Sequence, residues 1–141
     1  MIIMYIDTSV MIKLLTLEPD SAFYADKVEG QPLVSSELLY TEVAGALLAK
    51  ERSGKLHAKQ RLKVWAIFQE QVTEHDIHLL QCRTETFRKA QSIMEVCHPL
   101  VPLRSLDALH LAACDLSQLF PLVTNDSRMM AAAQRLGIPV L

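Results

Sequence analysis

An α/β fold is predicted, three-layered, with helices on both faces of a central parallel sheet of four to five strands. Three observations predict it. Short apolar runs alternate with longer segments of helical period, and parallel strands need such crossover connections. The opening run, Met1–Ile6, is apolar almost without a break, which suits a strand buried on both faces. The chain has 141 residues, half of them apolar and 21 % charged, enough to bury a core without a disulfide or metal staple. No repeat or linker divides it, so residues 1–141 read as a single domain.

In chain order, Met1–Ile6 is the first strand, and Val10–Leu17 follows with helical spacing. Pro19 permits a fresh helix start. Residues Val28–Pro32 carry turn chemistry, and Leu33-Val34 is a very short strand. Ser35 or Ser36 caps a helix to about Arg52, closed by Ser53-Gly54. A second long helix covers Leu56–Val72, with Leu62, Trp65, Phe68 and Val72 at core spacing. Ile77–Leu80 is a strand, Thr84–Val96 a helix, and Pro99 and Pro102 break the chain before a helix at Ser105–Ser117. Leu122–Thr124 is a strand, Ser127–Leu136 a helix ended by Gly137, and Ile138–Leu141 a last strand.

Composition excludes several classes. Four glycines and six prolines argue against low complexity. No run approaches the roughly 18 apolar residues of a membrane span, and the opening run meets Asp7 without a basic flank, unlike a signal peptide. Cys82, Cys97 and Cys114 are odd in number and form no C-x-x-C, which points to a reducing, cytoplasmic setting. A net charge of −2 argues against gripping nucleic acid by bulk charge.

In sheets of this kind the site lies outside the carboxyl ends of the strands, and four acids are candidates there. Asp7 is the first polar residue after the opening strand; its ordinary role is a helix cap. Glu42 falls, at about 100° per residue, in an arc with Leu38, Leu39, Val43, Gly45, Ala46 and Ala49, inside the stripe that should face the sheet. A carboxylate there must be paired, protonated or bound to a cation. Glu37 lies on another face and reads as a favourable first-turn charge. Asp107 suits the dipole at the start of its helix, yet shares a stripe with Leu111 and Cys114. Asp126 follows a strand and precedes the last helix, where it suits an N-cap. Brought together, four carboxylates repel unless a cation joins them. Oxygen donors suit Mg²⁺ or Mn²⁺, whereas the histidines and cysteines show no zinc spacing. His110, three residues after Asp107, reads as a packed or capping histidine.

These motifs — Asp7-Thr8-Ser9-Val10 after an apolar strand, Glu42 in the helix opened by Ser36, Asp107 in Leu106-Asp-Ala-Leu-His-Leu-Ala112, Asp126 in Thr124-Asn-Asp126-Ser-Arg-Met129 — resemble the PIN-domain pattern, and most closely the VapC-type toxins of prokaryotic toxin–antitoxin pairs. The resemblance spans nearly the whole chain. It implies a PIN-like α/β/α fold and a Mg²⁺- or Mn²⁺-dependent endoribonuclease, usually a homodimer, restrained by a cognate antitoxin. It makes Asp7, Glu42, Asp107 and Asp126 the catalytic and metal-binding acids. Thr8 or Ser9 would orient Asp7 or a water, with Thr124 and Asn125 in support.

Hydrolysis by an activated water predicts 5′-phosphate and 3′-hydroxyl products. Arg104 and Arg128 lie close in sequence to site acids, suited either to RNA phosphate or to pairing with Asp107 and Asp126. Lys50, Arg52, Lys55, Lys59, Arg61 and Lys63 form a basic stretch that reads as a solvated face or as a phosphate-contacting rim. Aromatics are 6 % of the chain and do not interleave with it, so no stacking platform is indicated. A phosphoaspartyl phosphatase would want an acid where Ser9 stands, and the Asp and Lys of a receiver domain are missing. Two alternatives remain: an inert PIN-like binding module and a housekeeping RNA-processing nuclease. With the four site acids set aside, 14 basic residues face 12 acidic ones, so the −2 balance carries no objection to an RNA partner.

Overall fold

A computed structural model describes residues 2–141. Four short strands, β1 (Met4–Ile6), β2 (Leu33–Ser36), β3 (Ile77–Leu80) and β4 (Leu122–Val123), form a parallel sheet in the order β3-β2-β1-β4. Tyr5 is in register with Val34 on one side and Leu122 on the other. The chain thus steps outward from β1 to β3 and then crosses back to β4. The reversal leaves a crevice beyond the carboxyl ends of β1 and β4, where α/β sheets hold their ligands.

Seven helices cover the sheet: α1 (Thr8–Leu15), α2 (Ser21–Val28), α3 (Leu38–Arg52), α4 (Ala58–Thr73), α5 (Thr84–Cys97), α6 (Ser105–Ser117) and α7 (Ser127–Leu136). Side chains alternate along a strand, and the core divides accordingly. Met4, Ile6, Ile77 and Val123 pack beneath α1 to α4 with Val10, Leu39, Val43 and Phe68. Tyr5, Val34 and Leu122 pack beneath α5 to α7 with Ile93, Leu111 and Met129. These are the three layers expected. Every residue of α6 from Asp107 to Cys114 is buried, because α6 lies between the sheet and α5, and Ala108, Ala112 and Ala113 allow close approach on both sides. Among the described residues no helix is long and apolar enough to cross a membrane.

The structure differs from the sequence reading in five places. Ser35 and Ser36 extend β2 rather than open α3, since backbone pairing with Leu79 and Leu80 continues through them; Ser36 Oγ still accepts from the Leu38 amide at 3.2 Å. Ile138–Leu141 is no full strand and touches the sheet by one parallel bridge, Val140 to Leu122. Leu62 is 57 % exposed, because α4 lies at the side of the molecule and buries only the line through Phe68, with Val64, Trp65 and Val72 partly covered. The buried face of α3 is Leu39, Val43 and Leu47, about 100° round the helix from Glu42. Glu42 therefore sits at the edge of the stripe, half-buried, at the mouth of the crevice. The strand assigned to Met1–Ile6 begins at Met4; Met1 lies outside the described residues.

Candidate active site

The crevice beyond β1 and β4 is a small cleft of about 110 Å³ lined by Asp7, Glu42, Asp107 and Asp126, together with Thr8, Ser9, Arg104, His110 and Met129. All four sequence-predicted acids meet there. β1 ends at the cleft and delivers Asp7, which is buried and caps α1: its Oδ1 accepts from the Val10 amide at 3.1 Å and from Ser9 Oγ at 2.6 Å. Its Oδ2 accepts from Thr124 Oγ1 at 2.5 Å. Burial pushes the Asp7 carboxyl above the usual carboxylate range, against the opposing pull of Ser9, Thr124, the Val10 amide and His110.

Asp126 caps α7, its Oδ1 accepting from the amides of Arg128 at 2.8 Å and Met129 at 3.0 Å. The Asp126 amide donates to Thr124 Oγ1 at 3.0 Å. Thr124 thus ties the ends of β1 and β4 into one unit. Asp107, in the first turn of α6, points into the cleft, where Arg104 Nε donates to its Oδ2 at 3.1 Å. The Arg104 Nη2 reaches Asp126 Oδ2 at 3.5 Å. Arg104 therefore spans two site acids; the hydrogen bond and charge of Asp107 raise its pKa further. Arg128 is exposed and lines, with Arg104, Asn125, Asp126 and Ser127, a shallow polar cleft of about 390 Å³ beside the acids.

The supporting residues divide their tasks. Ser9 orients Asp7 and accepts from the Asn125 amide at 3.0 Å. Thr8 turns instead to Glu42, donating to its Oε1 at 2.9 Å. The Asn125 side chain faces away and accepts from Tyr24 Oη at 2.8 Å. Glu37, outside the cleft, accepts from the Cys82 amide at 2.8 Å.

His110 belongs to the site in a way its sequence position conceals. It is 1 % exposed, with Nε2 2.6 Å from Glu42 Oε1 and Nδ1 2.8 Å from Tyr5 Oη. Burial would raise the Glu42 pKa, but His110, Thr8 and Arg104 together outweigh it and hold the carboxyl below its ordinary value. The available signal was Tyr5, a phenol in a fully buried strand that needs a partner; nothing local says the partner lies 105 positions away.

Four carboxylates without cysteine offer the oxygen donors that hard divalent ions take. Among the described residues Arg104 is the one Arg or Lys lining the cleft, so the acids outnumber the cations and further positive charge is favoured there. The donor chemistry fits Mg²⁺ or Mn²⁺. Among the described residues no three His, Cys, Asp or Glu side chains stand in ligand arrangement, since each acid is turned to a protein donor.

Known proteins place the chain. A family model described as the PIN domain matches residues 4–135. Ribonuclease VapC46 of Mycobacterium tuberculosis (strain ATCC 25618 / H37Rv) is 32 % identical over a 145-residue alignment covering 97 % of this chain and 95 % of that protein. The crystal structure of PAE2754 from Pyrobaculum aerophilum has the same fold, with a TM-score of 0.55 at 18 % identity over 93 % of this chain and 86 % of that one. Through its four ordered acidic motifs, its sheet and these relatives, the chain belongs to the PIN-domain family.

Proposed function

We propose that this protein is a Mg²⁺- or Mn²⁺-dependent endoribonuclease and the toxin of a toxin–antitoxin pair. The observation that carries this is the convergence of Asp7, Glu42, Asp107 and Asp126 on one cleft at the sheet's switch point. Likeness to a ribonuclease over nearly its full length supports it. The four acids would hold the ion, which when bound supplies Lewis acidity toward water and phosphate. Ser9 and Thr124 fix Asp7, Thr8 and His110 fix Glu42, and Arg104 and Arg128 meet RNA phosphate at the neighbouring cleft. Products carry 5′-phosphate and 3′-hydroxyl ends. An antitoxin as partner, a homodimeric state and a cytoplasmic location accompany this assignment.

A second reading, an inert PIN-like binding module, is favoured by the Arg104 bridge across Asp107 and Asp126. One experiment separates the two. Purified protein and its Asp7→Asn variant are incubated with a mixed RNA pool and Mg²⁺ or Mn²⁺. The expected result is metal-dependent cleavage, slower by about 100-fold or more in the variant, the rate equivalent of several kcal/mol of charge stabilisation. Equal cleavage by both overturns the catalytic assignment, and no cleavage by either with no Mn²⁺ binding favours the module.

A further inference from the structure

Tyr5 and His110 form a buried polar pair within a largely apolar layer, with Ser35 and Ser36 beside the phenol. Tyr5 is 0 % exposed, packs against Val34, Leu111 and Leu122 on the α6 side of the sheet, and meets the imidazole edge-on at 5.9 Å between centroids. A phenylalanine and a leucine would fill this space without a polar group to satisfy, so stability alone does not call for the pair. What the pair reaches is Glu42. Its Oε1 takes two contacts, His110 Nε2 at 2.6 Å and Thr8 Oγ1 at 2.9 Å, and its Oε2 accepts no hydrogen bond among the described residues. Glu42 rises from the edge of α3, half-exposed and with rotatable bonds of its own, so its aim depends on what grips Oε1.

Resting on the ribonuclease assignment, we propose that His110 is a positioning residue: Tyr5 anchors its imidazole at Nδ1, and Nε2–H holds Glu42 Oε1 so that Oε2 faces the cleft. An ionised carboxylate only accepts, so the proton between His110 and Glu42 sits on Nε2. In the neutral ring Nδ1 is then bare and accepts the Tyr5 hydroxyl hydrogen, so the carboxylate selects the tautomer and the phenol anchors the ring. The chain β1–α6–α3 thereby carries orientation from the sheet to an acid on a helix that the sheet does not itself aim. Partners of this kind, one step behind a ligand, change metal affinity by about 10- to 100-fold when removed.

The test uses three variants of the full chain. Glutamine keeps an N–H close to the position of Nε2, and asparagine keeps a polar group close to Nδ1. If His110 positions Glu42, His110→Gln retains Mn²⁺ affinity within a few-fold of wild type and His110→Asn loses about tenfold or more. A histidine that merely satisfies Tyr5 leaves Mn²⁺ affinity close to wild type in both variants, and that result, like a reversed order, overturns the proposal. Two-bond ¹H–¹⁵N spectra of the metal-free protein provide a readout independent of activity. Wild type should show a protonated Nε2 with bare Nδ1, and Tyr5→Phe, which removes the anchor at Nδ1, should keep that tautomer while weakening Mn²⁺ binding. An Nδ1–H form in wild type overturns the proposal without touching the ribonuclease assignment. A wild type that neither binds Mn²⁺ nor cleaves RNA overturns both.

Discussion

Asp7 and Glu42 line one cleft, yet their surroundings move their acidities in opposite directions. Burial raises the Asp7 pKa above its ordinary 3.8 despite three hydrogen-bond donors. Between that value and the raised one, the folded chain keeps a proton that the unfolded chain has released, so stability falls as pH rises through the window. Asparagine at Asp7 still caps α1 and carries no charge. In the metal-free protein at pH 7, Asp7→Asn is therefore expected to raise Tm. The gain should vanish below about pH 3.8, where both forms are uncharged. Glu42 behaves oppositely, because its pKa is held below 4.5. Its ionised form stabilises the fold above that pH and the benefit is lost as pH falls through the depressed value, so Glu42→Gln should lower Tm at pH 7. Calorimetry of the two variants in chelator from pH 3 to 8 checks both signs. Sequence disclosed these residues unequally. The contacts of Asp7 with Ser9 and Val10 follow from cap spacing, as do those of Asp126 with Arg128 and Met129. Thr8 to Glu42 spans 34 positions and Tyr5 to His110 spans 105, and such pairs exist only once α3 and α6 have docked on the sheet.

At the level of elements, Asp7, Asp107 and Asp126 owe their positions to the end of a strand or the start of a helix, while Glu42 comes from the body of α3, so fold and site share side chains. Asp126 is the clearest instance, its Oδ1 satisfying two free amides of α7 while Oδ2 faces Arg104. Removing the cap and removing the charge are separable. Asp126→Ala should destabilise the protein by about 0.5–2 kcal/mol, whereas Asp126→Asn, an equally good cap, should unfold close to wild type in urea. Both should lose metal-dependent cleavage to a similar degree; an Asn variant as active as wild type would remove Asp126 from the ion site. The order of elements was legible because period and punctuation agree: Gly137, at φ 74°, ends α7 where a left-handed residue is needed. Boundaries decided by pairing were not legible. Ser35 and Ser36 have the chemistry of caps, yet the ladder to β3 claims them. Leu62 has core spacing on α4, but a helix at the side of the sheet has too little partner surface to cover it. The same limit moved Glu42 from the middle of its stripe to the rim, which is where an acid meant for the cleft has to be.

Across the whole molecule, the question left by a net charge of −2 is which cations would meet RNA under the proposed function. Two sets are available. Arg104 and Arg128 border the polar cleft beside the acids. The basic stretch lies elsewhere: Lys50, Lys55 and Lys63 line a separate cleft of about 730 Å³ with Leu15, Leu17 and Val64. Lys50 stands eight residues beyond Glu42 on α3, about 12 Å along the helix. Members of that stretch also have partners, Lys50 with Glu18 at 3.8 Å and Arg61 with Glu51 at 2.6 Å. For an oligonucleotide of three or four residues, the arginines should therefore make the phosphate contacts. Each phosphate neutralised on a single strand contributes about −0.7 to the slope of log affinity against log salt. In the Asp7→Asn background, where cleavage is expected to be slow enough for binding to be read, the slope is expected near −1.4 at fixed Mg²⁺. Arg128→Ala should bring it to about −0.7 and weaken binding, while a Lys55→Ala/Lys63→Ala double variant leaves it unchanged. A slope near −4 in that background that collapses in the lysine variant would instead make the end of α3 and the start of α4 the RNA track, with the acid cleft cutting at its border.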